Sequence, residues 1–249
     1  MLMVYSPFVP YFKFDFFKGK ASKCWVAADC LFEAAGESRK QQFAATALIM
    51  GLIPLTLKDI AWPERRIIYT TERLHWTVEI LVLALGLIPT ETKNKGDTRA
   101  KSQYGTMLAT AAWSMSRSIV ITCVVSCASV VVLSYCGMFY MELYSKRSAL
   151  GCPFPAWIVA WYLVAIIPAA IHSAFAGIRR MISAVQGADE DWPVQIAWAI
   201  YYIAGTLIFT SIMAVTVLEL IVWVGLGFAV TGSSKLLAFF ICLVFEDTG

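Results

Sequence analysis

Charge is scarce in this sequence, and so are the motifs that usually announce chemistry. Charged residues make up 15% of the chain, against about a quarter in an ordinary soluble domain, so water is the wrong solvent for most of it. The net charge is only +3, and the basic residues sit in short clusters between apolar runs, a poor footprint for nucleic acid. The seven cysteines include no C-x-x-C pair and are odd in number, which argues against a disulfide framework or a structural zinc site and leaves them as apolar filler in helices. Asn94 is the only asparagine and is followed by Lys95-Gly96, so no N-glycosylation sequon exists. The glycines at 225, 227 and 232 lead towards Lys235, but Ser233 stands where a phosphate loop needs its lysine and no strand precedes them. Tyr5, Pro7, Pro10, Tyr11, Lys13 and Asp15 interrupt the first twenty residues, so no cleaved signal peptide is expected.

What is present is apolar length. Hydrophobic residues make up 59% of the chain and mean hydropathy is +0.68. At about 1.5 Å per residue in a helix, the runs at 118–141 and 154–177 can each cross a hydrocarbon layer roughly 30 Å thick. The pattern predicts an all-α, polytopic transmembrane helix bundle with five to six spans. Spans are expected at 41–57, 74–89, 118–141, 154–177 and 193–223, with 235–245 a re-entrant or sixth segment. Residues 1–40, with Lys13, Lys18, Lys20 and Lys23 ahead of Trp25, Val26, Leu31 and Phe32, read as an interfacial or disordered segment before a transmembrane domain at 41–249. Trp62-Pro63 and Trp192-Pro193 supply matching aromatic-plus-proline helix entries.

The stretch 192–230 holds only one charge, Glu219, and a long tilted helix that ends near Trp223, where Gly225 and Gly227 break it, is expected in preference to two spans divided by a turn without turn residues. Near the spans, nine Lys and Arg side chains fall on the side of the N-terminus and seven on the other, a weak lean towards a cytoplasmic N-terminus.

Ionisable groups inside spans cost about 2.5–3.5 kcal/mol at the bilayer centre on insertion scales, so each is a site hypothesis. Glu79 and Glu219 are the candidate catalytic acids. His75 precedes Glu79 by one helical turn, and Glu72 lies three residues before His75. That face could serve a proton relay, or simply be a solvated helix entry with one local ion pair, and no second cluster supplies the further ligands a metal needs. His172 is a second candidate proton carrier or a hydrogen-bonded packing residue, beside small residues at Ala169, Ser173 and Gly177. Ser118, Thr122 and Ser126 repeat that spacing, and such stripes predict helix contact, including a homo-oligomer contact, rather than catalysis. No cofactor and no metal are expected; the expected surroundings are the lipid bilayer.

The segments Gln-Gln-Phe-Ala-Ala-Thr-Ala-Leu-Ile-Met-Gly-Leu-Ile-Pro from Gln41 and Gly-Cys-Pro-Phe-Pro-Ala-Trp from Gly151 resemble uncharacterised integral membrane proteins of filamentous fungi, from about Glu33 to the end of the chain. The resemblance implies membrane residence and brings no activity, so no functional residue is carried over. The residues leave three roles open. One is scaffolding, sensing or small-molecule passage with no chemical step. Another is a membrane-embedded enzyme, similar in size to terpene cyclases that use intramembrane carboxylates as acids, a part Glu79 and Glu219 could take although no cyclase motif is matched. The third is a proton-coupled transporter with helix breaks at Pro54, Pro168 and Gly205, although no internal repeat is found.

Overall fold

The computed structural model describes residues 30, 32–59, 67–70, 74–91, 115–145, 156–182, 191–212 and 215–246. The expected interfacial segment at 1–40 lies largely outside them, as do Glu72 and the Trp62-Pro63 entry. In chain order the described elements are α1 (Glu37–Asp59), β1 (Ile67–Thr70), α2 (Trp76–Ala84), β2 (Ile88–Glu91), α3 (Arg117–Ser145), α4 (Trp157–Val164), α5 (Ile166–Ile182), α6 (Trp192–Thr210) and α7 (Val217–Glu246). The all-helical bundle is as expected.

Four helical stretches are long and apolar enough to cross a membrane: Arg117–Glu142, Trp157–Met181, Trp192–Thr210 and Val217–Phe245. That count, made among the described residues, is below the five to six expected. The helix over 41–57 exists as part of α1, but Glu37 to Gln42 occupy its leading turns, leaving an apolar length of about 22 Å.

The expected span at 74–89 is a larger departure. Only nine of its residues form α2, about 13.5 Å of helix, and a two-stranded parallel sheet flanks it, with Ile67 opposite Ile88 and Thr70 opposite Glu91. The helix stops at a Schellman turn. Gly86 adopts φ 99°, its N–H donates to the Leu83 carbonyl at 3.0 Å, and the Leu87 N–H donates to Val82 at 3.1 Å. A side chain with a Cβ is strained at that φ, which is why glycine closes the helix there. Val82 and Leu87, three residues before and two after the Leu85 cap, are both fully buried, the apolar clasp that accompanies this motif.

The expected long helix over 193–223 is instead two helices, and 235–245 is the continuation of α7 rather than a separate segment. A capping box starts α7: the Thr216 N–H and Oγ1–H both donate to Glu219 Oε2 at 2.9 Å, and the Glu219 N–H donates back to Thr216 Oγ1 at 3.2 Å. The same helix runs on through Gly225, Gly227 and Gly232. A glycine costs a helix about 1 kcal/mol, whereas a backbone group left unbonded in hydrocarbon costs several, so the helix continues. Pro168 has the opposite effect between α4 and α5. Its ring opposes the carbonyl four residues earlier, at Val164, and the helix is interrupted at Ala165.

The chain divides into two compact units. The first takes its described residues from Met1–Leu57, Leu133–Leu163 and Tyr202–Phe228. Its interior is aromatic: Trp161 meets Tyr162 at 4.7 Å and Phe209 at 5.7 Å between ring centres, and Phe209 meets Trp223 at 6.4 Å, all edge-on. Gly205 lies directly under the Trp161 indole, where a Cβ would collide with the ring. Thr46 of α1 donates its hydroxyl to the Val215 carbonyl at 3.0 Å, tying α1 to the residues just before α7.

The second unit takes its residues from Lys58–Val132, Val164–Tyr201 and Ala229–Gly249. Its core joins Ile68, Leu74, Val82 and Leu87 to Val120 of α3 and to Ala238, Phe239, Cys242 and Leu243 of α7. In both units large apolar side chains also face outward, among them Leu133, Ile200, Ile203, Leu207 and Ile221. In water such surfaces would associate; in hydrocarbon they are matched to their solvent.

Candidate functional site

The second unit contains the most concentrated charge chemistry among the described residues. Glu79 lies in the first turn of α2 and Arg180 in the last turn of α5, and these two helices pack together. Arg180 Nη1 donates to Glu79 Oε2 at 3.2 Å and Nη2 to Oε1 at 3.1 Å. This two-bond fork is the geometry in which guanidinium and carboxylate match best. The Glu79 side chain is 5% exposed and Arg180 31%. The carboxylate is thus removed from solvent, while the cation keeps an edge at the surface. Each end also suits its helix dipole, an anion at the start of α2 and a cation at the end of α5.

Small buried residues share the face of α5 that carries Arg180. Ala169 and Ser173 on α5 are buried, and Arg180 follows Ser173 by seven residues, two turns along the same face. Gly177 departs from that pattern, since a Cβ there would meet nothing within 4 Å. His172 is half-buried on α5. Arg179 pairs with Asp191 at 2.8 Å, and the Asp191 carbonyl accepts the first N–H bonds of α6 from Val194 and Gln195, so the connection from α5 to α6 is closed by charge and by backbone together.

The proposed relay of His75 and Glu79 is not assembled. His75 is exposed at the N-cap of α2, with Nδ1 2.8 Å from Thr77 Oγ1 and its ring against Trp76, while Arg180 takes both oxygens of Glu79. No group of three or more His, Cys, Asp or Glu able to hold a metal occurs among the described residues.

Glu219 belongs to the first unit, where it is 1% exposed and serves the capping box with Thr216. The two candidate acids therefore lie in different units, each bonded within its own. Ser118, Thr122 and Ser126 are all exposed on α3, and the Thr122 hydroxyl donates to the Ser118 carbonyl of its own helix at 2.9 Å.

Two residues that the sequence did not single out carry polar structure. Arg180 is one, and the signal existed: a carboxylate inside an apolar helix needs a cation, and the arginines that follow the run at 154–177 were among the available partners. Glu142 is the second. It is 5% exposed, and the Ile158 N–H at the start of α4 donates to its two oxygens at 3.0 and 3.1 Å, so it caps a helix that begins fifteen residues later. No local spacing reveals that pairing. Lys235 is also buried within α7, with its side-chain carbons packed where a Cβ on Gly86 would stand.

Comparison with protein-family models, curated proteins and solved structures finds no match to this chain. The arrangement of side chains is therefore the whole basis for its function.

Proposed function

We propose that this chain is a multi-pass integral membrane protein whose work is scaffolding, sensing or passage within the bilayer, with no acid-catalysed step at its intramembrane carboxylates. One observation carries the reading: Glu79 is committed to a two-bond pair with Arg180 and Glu219 to a helix cap, so both candidate acids act as structural ties. A catalytic acid needs an oxygen open to substrate and a proton to give at working pH. Both Glu79 oxygens accept from Arg180, so neither is open to a substrate. Membrane residence is supported by the four long apolar helices and by the outward apolar side chains, whose partner is lipid.

The test is rescue of a deletion strain. Glu219→Gln keeps an acceptor for the capping box, which takes glutamine as well as glutamate, and Glu79→Gln with Arg180→Gln replaces the ion pair by a neutral amide pair. Both variants remove the acids with little structural change, and both are expected to restore the deletion phenotype and to remain in the pellet after alkaline carbonate extraction. A variant present at wild-type level in the membrane that fails to rescue would return the protein to the enzyme or proton-coupled transporter class.

A further inference from the structure

We propose that one rim of the second unit, formed by the first turn of α2, the end of α5 and the start of α6, is seated in the phospholipid headgroup layer. The proposal rests on the membrane reading above and adds which surface meets the headgroups. Two ion pairs assemble the rim. Arg180 in the last turn of α5 holds Glu79 of α2, and its neighbour Arg179 holds Asp191 at the entry to α6. The three helix ends are gathered by these pairs, and with them Trp76, Met181 and Trp192, each within three residues of a paired side chain.

These three side chains stand outward. Met181, 81% exposed, and Trp192, 73%, are the most exposed large apolar side chains among the described residues, and Trp76 is 60% exposed. A patch of this kind is costly in water and marks a contact. Its chemistry changes in the same sense along both long helices. On α6 the outward face runs from Trp192 to Ile196 and Ile200, one turn apart, and on α5 it runs back from Met181 to Ile178 and Ala174. From the rim inward the order is charge, then aromatic ring or thioether, then aliphatic chain. A bilayer has the same order from headgroup to acyl chain, with tryptophan at the boundary because its ring is apolar and its N–H can bond headgroup oxygens.

Polarity excludes the neighbouring zones. His75 and Thr77 are exposed on either side of Trp76, with Nδ1 and Oγ1 2.8 Å apart, and Arg179 and Arg180 keep 23% and 31% of their side chains at the surface. Acyl chains offer such groups no hydrogen-bond partner, whereas the headgroup layer does, and long arginine stems lie on apolar surface with their heads at that boundary. Charge weighs against a protein partner. The two arginines are matched by two carboxylates within the rim, so it presents no net charge by which a partner surface could be selected.

Spin-label relaxation distinguishes headgroup, acyl chain and water. In a background without native cysteines, Trp76→Cys, Met181→Cys, Trp192→Cys and Ile200→Cys are each given a nitroxide and reconstituted in phosphatidylcholine vesicles. Three relaxing agents are compared: oxygen, which concentrates among acyl chains, a neutral nickel chelate dissolved in water, and nickel held on a chelating lipid headgroup. The three rim labels are expected to be relaxed by headgroup nickel more strongly than the Ile200→Cys label. That label, eight residues or about 12 Å of helix beyond Trp192, is expected to be relaxed most by oxygen. Rim labels that respond to dissolved nickel but not to headgroup nickel stand in water and overturn the proposal. Rim labels that respond to oxygen as Ile200→Cys does lie among acyl chains, and labels that respond to no agent are covered by protein; either result also overturns it. An Ile200→Cys label that behaves as though in water overturns the membrane reading itself, so the two failures are told apart. Should Trp76→Cys fail to accumulate, Thr77→Cys, also exposed, reports the same end.

Discussion

Removing Arg180 is predicted to harm the protein more than removing its partner Glu79. In Arg180→Met the carboxylate at Glu79, 5% exposed in the native protein, is left without its cation. Breaking a fully buried pair in this way costs about 3–5 kcal/mol. Arg180 keeps roughly a third of its surface exposed, so part of its attraction is already screened, and we expect about 2–4 kcal/mol. In Glu79→Gln the survivor is a long cation at a helix end and a span boundary, free to reach headgroups and helix carbonyls, so the loss is about 1 kcal/mol. The double variant Glu79→Gln with Arg180→Met should cost less than the sum by at least about 1 kcal/mol, because each change removes the same two bonds. The assay is equilibrium unfolding of purified protein in micelles of increasing SDS fraction, read by tryptophan fluorescence, with all four forms measured together. Losses that add within about 0.5 kcal/mol would show that the fork contributes nothing and would remove the basis for treating Glu79 as a tie, and a Glu79→Gln cost equal to or above that of Arg180→Met would refute the asymmetry.

Two further outcomes follow from single contacts. Glu219→Gln should leave unfolding within about 0.5 kcal/mol of wild type, whereas Glu219→Ala should lose about 1 kcal/mol, since alanine cannot accept the Thr216 N–H bond; equal losses in the same SDS titration would exclude the capping role. Gly205→Ala should destabilise by about 1–3 kcal/mol through its collision with the Trp161 ring, and Gly177→Ala, which meets open space, should be neutral or slightly stabilising. A Gly205→Ala protein as stable as wild type would show that α4 and α6 do not pack as described.

Parts of the departure from the expected spans were written in short motifs and were outweighed by the apolar composition around them. Leu85-Gly86-Leu87 with Pro89 beyond it is a helix stop, yet within an apolar run it reads as the continuation of a span. Thr216 followed three residues later by Glu219 is a helix start, yet with no Gly or Pro between 206 and 224 it was absorbed into one long helix. Gly225, Gly227 and Gly232 misled in the other direction. Glycine breaks helices where water can bond the freed backbone, and that alternative is absent in hydrocarbon.

The sequence by itself determined the apolar length of the helices and the helical class. Where charge is this sparse and apolar runs exceed about twenty residues, only helices satisfy their own backbone in lipid, so an all-helical bundle with long apolar segments was legible from composition and length. What only the tertiary structure decided is which distant group meets the buried carboxylates. Glu79 meets Arg180 across 101 residues, and Glu142 meets Ile158 across 16. Residue spacing reports neighbours on one helix, whereas the cost of a buried charge is settled by whichever helix packs against it.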